Sequence, residues 1–218
     1  ILKSLKFEVS DSFVTAPSFR IDIENKADIA EEVARIYGYN EIPTTIFKGE
    51  TTIGGLSHKQ RFEKQVAESL ISCGMYELYT FTFISPLAYD KINMPSESAE
   101  RNSVKIQNPF GEETSIMRST ALPSLMDALA LNYAQRNKQA SLFEIAKIFT
   151  PADSIDKLPQ EQKIITAGCY GPYDFYDIKG IFERLFRSCG IAAEFVADKS
   201  HYAFHPGKTA AVIANGEK

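Results

Sequence analysis

Residues 106–126 read IQNPFGEETSIMRSTALPSLM, and the fold is decided here. The stretch opens on the end of a strand at residues 104–107. Asn108-Pro109 and Gly111 then signal a turn, and a second short extended run covers residues 115–118. A helix follows with Pro123 in its first turn, where a missing N–H costs nothing. Leu122, Leu125, Met126, Leu129 and Tyr133 recur at helical spacing and predict its buried stripe.

Working outward, residues 141–149 alternate as a strand. Leu142, Glu144, Ala146 and Ile148 share one face, and Phe143, Ile145, Lys147 and Phe149 the other. A Pro/Asp/Lys loop at 151–162 leads to a short apolar strand at 164–170. Next comes an amphipathic helix with Ile178, Ile181, Phe182, Leu185 and Cys189 inward and Gly190 as its stop. Residues 193–197 read as a strand, and His205-Pro206-Gly207 as a turn feeding another. On the amino-terminal side, Ser57-x-x-Gln60 announces a helix lined by Phe62, Val66, Leu70 and Ile71 and ended by Gly74. A strand rich in Tyr, Phe and Thr is expected at 77–84, and a polar loop at 87–101. Strands and helices do not alternate strictly, so the expected class is α+β: a mostly antiparallel sheet of about six strands flanked by helices.

Before this core, residues 1–43 read as a small partial α/β domain. A helix end passes into short strands at 7–9 and 13–16, an alternating run follows at 17–23, and a helix opens at Asp28-x-x-Glu31 and stops at Gly38. Residues 44–56, with Gly54-Gly55 and no helical period, form a linker whose glycines are too few for a phosphate loop.

The 218 residues carry a formal net charge of −4, which disfavours an autonomous nucleic-acid binder. Three widely spaced cysteines, Cys73, Cys169 and Cys189, make no disulfide framework and no zinc spacing, so a reducing cytoplasm is expected. No run approaches the roughly 20 apolar residues of a membrane span. A start at Ile1 without a signal-like region, and a stop at Asn215-Gly216-Glu217-Lys218 just after a strand-like run, read as a piece of a longer protein.

Asp22, Asp28, Glu31 and Glu32 are the one carboxylate cluster with a chemical look. Positions 28, 31 and 32 share a helix face, and Asp22 is within reach from the preceding run. Magnesium takes oxygen ligands of this kind. Acidic first turns are equally explained by the helix N–H groups and dipole. His205 before Pro-Gly reads as a turn residue, since no nucleophile partner surrounds it. Gln135-Arg136-Asn137-Lys138 reads as a solvated helix end.

These strings together resemble the beta subunit of bacterial phenylalanine–tRNA ligase. Residues 106–126 are similar to its IQNP…S-x-M-R…LP-x-L segment, and residues 28–39 (DIAEEVARIYGY) to the end of the small domain before its core module. Tyr173-Asp-Phe-Tyr-Asp-Ile-Lys-Gly180 and His205-Pro-Gly-Lys-Thr-Ala210 match further strings of that subunit. Residues 57–84 resemble motif 1 of class II aminoacyl-tRNA synthetases, which makes subunit contacts in that class. Ala146, where the family often has glycine, and Lys208, where arginine is common, are minor departures.

The resemblance implies a class II synthetase-like core at 57–218 after the small domain at 1–43 and the linker at 44–56. It implies that Asp22, Asp28, Glu31 and Glu32 are magnesium ligands in a site shared with a catalytic alpha subunit. It also implies a complex of two alpha and two beta chains that uses ATP and binds tRNA. This chain itself is expected to be inactive and to bind no ATP. In class II synthetases an arginine on the strand at 141–149 grips the activated amino acid, and no arginine lies between Gln139 and Thr150. The alternative is a stand-alone magnesium-dependent hydrolase or transferase using the four carboxylates. The face of strand 77–84 carrying Tyr79, Phe81 and Phe83 is covered either by a second layer of this chain or by a partner.

Overall fold

Ser57 starts helix α2 (His58–Ser72) as its sequence announces. Its Oγ accepts from the Gln60 amide while Gln60 Oε1 accepts from the Ser57 amide, so two orphan helix donors are satisfied reciprocally. Val66 and Leu70 are the buried members of its stripe. Gly74, at φ 83°, turns the chain so that the Met75 amide donates back to Leu70, and strand β3 (Tyr76–Glu77) begins at once. The computed structural model describes residues 1–154 and 157–214. Ile155 and Asp156, inside the expected loop at 151–162, and residues 215–218, where the expected core ends, lie outside them.

The chain divides into two units, Ile1–Gly54 and Gly55–Lys218. In the larger one, strands β6 (Ala140–Thr150) and β7 (Gln160–Tyr170) form a long antiparallel hairpin with Phe143 opposite Ala167 and Leu142 opposite Gly168. β3 lies parallel to β6 on its other edge. Helix α3 (Leu122–Ala134) packs over the Gly168 face so closely that a Cβ there would sit 2.9 Å from Leu129 Cδ1. Against the opposite face lie α2 and α4 (Phe175–Ser188), which meet in one cluster of Val66, Leu70, Met75, Phe143 and Leu185. α4 is itself started by a capping box, Asp174 with Asp177. The hairpin of β6 and β7 is therefore covered on both faces by helices of its own chain.

Three expectations change. Residues 77–84 are not one strand: after β3 the chain leaves the ladder at residues 78–82 and returns as β4 (Phe83–Ile84), which pairs with β5 (Ile116–Met117). Among the described residues the expected six-stranded sheet is divided into separate ladders, β3-β6-β7, β4-β5 and the hairpin of β8 (Ala193–Ala197) with β9 (Ala210–Ala214). Residues 87–101 are more than a polar loop, because a 3₁₀ segment at Pro86–Ile92 buries Ala88, Tyr89 and Ile92 with Met94, Ile84 and Ile116 in a second core cluster. The segment is only 7 residues long, too short for a periodic signal to show.

In the smaller unit, β1 (Glu8–Val9) and β2 (Val14–Thr15) form a short hairpin. Residues 17–23, expected to be extended, instead make tight turns in which the Arg20 amide donates to Pro17 and the Ile23 amide to Arg20. Helix α1 (Lys26–Tyr37) begins one turn earlier than expected. Asn25 is its cap and Asp28 the reciprocating residue, and Gly38 ends it at φ 109°. Residues 43–57 hold no regular structure.

Candidate functional site

The four carboxylates do not converge. Asp28 Oδ2 accepts from the amides of Glu24 and Asn25, 2.8 Å each, and so serves the start of α1. Asp22 is held by Arg20, whose Nη2 donates to Oδ2 at 2.7 Å and whose Nε donates to Oδ1 at 2.9 Å. Glu32 is buried between two guanidinium groups: Arg20 Nη1 and Arg35 Nη2 both donate to its Oε2 at 2.8 Å. Arg20 first, and Arg35 second, hold the Glu32 carboxyl down at about 2. Glu31 is exposed.

This is an ion-pair network fastening the turns at 17–23 to α1, with Arg20 standing where a cation would. Among the described residues no group of three His, Cys, Asp or Glu side chains could hold a metal ion. In this chain by itself the four carboxylates serve the ion-pair network and the helix start and are not gathered around one point.

The charged pair that the sequence did not single out sits in the larger unit. Arg118 and Glu144 have side chains only 2% and 4% exposed. Arg118 follows β5, and its backbone crosses two ladders: its amide donates to Thr82 and its carbonyl accepts from Phe149. Its guanidinium donates to the Lys147 carbonyl at 2.9 Å, to Thr80 Oγ1 at 2.6 Å and to Glu144 Oε1 at 2.8 Å. Glu144 in turn accepts from the Thr80 hydroxyl at 2.7 Å and the Thr80 amide at 3.3 Å. A signal was present. A glutamate between Phe143 and Ile145 on a strand covered on both faces needs a buried cation, and Arg118 stands in apolar surroundings after Ile116-Met117.

Beside this pair lies an apolar groove of about 640 Å³, lined by Tyr79, Phe81, Phe83, Leu87, Pro123 and Leu131 among others. Tyr79 and Phe81 are 85% and 88% exposed, so nothing in the described chain covers the aromatic face of residues 79–83. At the rim Lys91 is spent on Asp127 at 2.9 Å. Glu113 is the charge left over in the lining and gives the groove a negative edge.

Elsewhere, a cleft of about 950 Å³ opens between α4, β7 and the β8–β9 hairpin. The first amides of α4 are already taken by Asp174 and Asp177, so it offers no phosphate cradle. His205 Nδ1 accepts from the Gly207 amide at 3.1 Å, the turn role its sequence implies.

A small mixed sheet with helices on both faces has a counterpart among solved structures. The pyrrolysyl tRNA synthetase PylSc of Desulfitobacterium hafniense superposes with a TM-score of 0.51 at 14% identity, over 80% of this chain and 55% of that one. This chain thus shares its α+β fold with a tRNA synthetase. The family model for the phenylalanyl tRNA synthetase beta chain CLM domain matches residues 42–218, and the tRNA synthetase B5 domain matches residues 1–39. Phenylalanine–tRNA ligase beta subunits of Clostridium tetani and Clostridium acetobutylicum are 43% identical over 205 residues and 44% identical over 200. Those alignments take in 94% and 91% of this chain. The chain belongs to the phenylalanine–tRNA ligase beta-subunit family. It spans about a quarter of the length of those relatives, 26% and 25%.

Proposed function

We propose that this chain is the assembly part of a phenylalanine–tRNA ligase beta subunit, pairing with and positioning a catalytic alpha subunit while doing no chemistry itself. In this reading residues 1–43 are the small domain, 44–56 the linker and 57–218 the core. Two alpha and two beta chains form the cytoplasmic complex. The complex, rather than this chain, uses ATP and binds tRNA, and its magnesium site is shared between the alpha subunit and Asp22, Asp28, Glu31 and Glu32 of this chain. The observation that carries the reading is the uncovered aromatic groove at residues 79–83, beside a β6–β7 hairpin that has helices of its own chain on both faces. Aromatic anchors concentrate at the centres of protein interfaces. The inactivity is supported by β6, which carries no arginine and whose buried charge, Glu144, is spent on Arg118. An adenylate needs preorganised cations where charge develops at phosphorus.

The test has two arms. Amino-acid-dependent pyrophosphate exchange with ATP stays at background for this chain alone and appears with the alpha chain; exchange by the chain alone overturns the assignment. Tyr79→Ala and Phe81→Ala weaken assembly with the alpha chain by about 1–3 kcal/mol if they are anchors. Unchanged association in sedimentation, with an intact fold, removes the groove from the interface.

A further inference from the structure

Resting on that reading of the groove, we propose that Arg118 and Glu144 are positioning residues for the partner surface. Their buried pair sets the path of residues 78–82 and so presents Tyr79 and Phe81 to an apolar, basic-flanked segment of the alpha chain. The geometry points to this in three ways.

First, residues 78–82 have left the sheet. The Leu78 amide still donates to the Phe143 carbonyl at 2.9 Å, as a strand residue would. Two residues on, the Thr80 amide finds no backbone carbonyl and donates to the Glu144 side chain instead. The carboxylate therefore takes the place of a ladder partner, which an apolar residue of equal size cannot do. Second, Thr80 is gripped from both members of the pair. Its hydroxyl accepts from Arg118 Nη1 at 2.6 Å and donates to Glu144 Oε2 at 2.7 Å. Arg118 adds a backbone bond to Thr82, so the segment is fixed at both 80 and 82. Third, alternation then does the rest. With the even positions Thr80 and Thr82 drawn inward, Tyr79 and Phe81 must project outward, and both do.

A planar guanidinium and a carboxylate locked into each other have little rotamer freedom, and a segment held by them is ordered before a partner arrives. Order in the free chain lowers the entropic cost of docking. The occupant follows from the rim. Lys91 is neutralised by Asp127, and Glu113 remains, so the complementary segment is apolar with lysine or arginine beside it.

Thr80→Val is the informative variant. It keeps the side-chain shape and the buried pair but removes the hydroxyl through which the pair holds the segment. In the complete beta chain, titrated against the alpha chain by calorimetry, it weakens association about tenfold, and amide exchange at residues 78–82 of the free chain speeds up. Leu70→Ala, which loosens the core elsewhere, is the control: it lowers the melting temperature more and leaves the association constant unchanged. If Tyr79→Ala and Phe81→Ala weaken association while Thr80→Val changes neither association nor exchange, the positioning role is overturned and the interface stands. If none of the three affects association, the interface reading itself has failed. If the chain alone forms a dimer that Thr80→Val dissolves, the occupant is a second copy and the alpha-chain assignment is overturned.

Discussion

Replacing Arg118 with methionine keeps most of the side-chain volume and removes the charge. The variant loses the bonds to the Lys147 carbonyl, to Thr80 Oγ1 and to both Glu144 oxygens. It leaves a carboxylate that is 4% exposed with only the Thr80 amide and hydroxyl as donors. Stranding a buried charge in this way costs about 3–5 kcal/mol, far more than the net worth of the hydrogen bonds alone. For a unit of this size each kcal/mol moves the melting temperature by roughly 2–4 °C, so the loss is on the order of 6–20 °C. The companion Arg118→Met/Glu144→Leu removes both charges and restores most of that, ending within about 1–2 kcal/mol of the parent. Urea unfolding of the four proteins, followed by circular dichroism, closes a double-mutant cycle with a coupling of about 2 kcal/mol or more. A single-variant cost under about 1 kcal/mol, or a double variant that is merely the sum of the singles, refutes the reasoning.

Two smaller predictions follow from the same kind of accounting. Because its two arginines depress Glu32 to about 2, the pairing stabilises the fold fully above the ordinary glutamate value. That stabilisation fades as pH falls towards 2, so the melting temperature of wild type converges on that of Glu32→Gln in acid and exceeds it at neutral pH. Neither protein's melting responds to magnesium or to EDTA; a magnesium-dependent rise in the wild-type chain alone would show the four carboxylates acting as a cation site. Ser141 is buried and its hydroxyl has no hydrogen-bond partner among the described residues. Ser141→Ala is accordingly neutral or stabilising in urea melts, by up to about 1 kcal/mol.

Local signals were the legible ones. The Ser57/Gln60 box, Pro123 in the first turn of α3, and Gly38, Gly74 and Gly190 at helix ends each act within a few residues, and each is found where the sequence puts it. The strand alternation at 141–149 was equally plain. What the sequence obscured was the outcome of competition at a distance. Residues 77–84 have strand propensity throughout, but a side chain 64 positions away captures the Thr80 amide and breaks the ladder. Asp22 and Glu32 carry the composition of a metal site, and in this chain Arg20, from the turns at 17–23, pairs with them both. Asn25 outcompeted Asp28 as the helix cap, because either residue suits that position and only the geometry of the preceding turns decides. Arg118 lies inside the stretch at 106–126, but its purpose is set by a partner 26 residues further on.

Those separations also bear on time. The β6–β7 hairpin can grow outward from a pair of near neighbours in the chain, Thr150 with Gln160, whereas the Thr80–Arg118–Glu144 node joins positions 38, 64 and 26 residues apart. Loops of that length close late, after the local elements have formed. An interaction absent from the transition state changes the rate of escape from the native state and leaves the rate of arrival alone. The buried pair is thus a latch. In chevron experiments its removal steepens nothing on the refolding arm and lifts the unfolding arm, shortening the lifetime of the native state without hindering its formation.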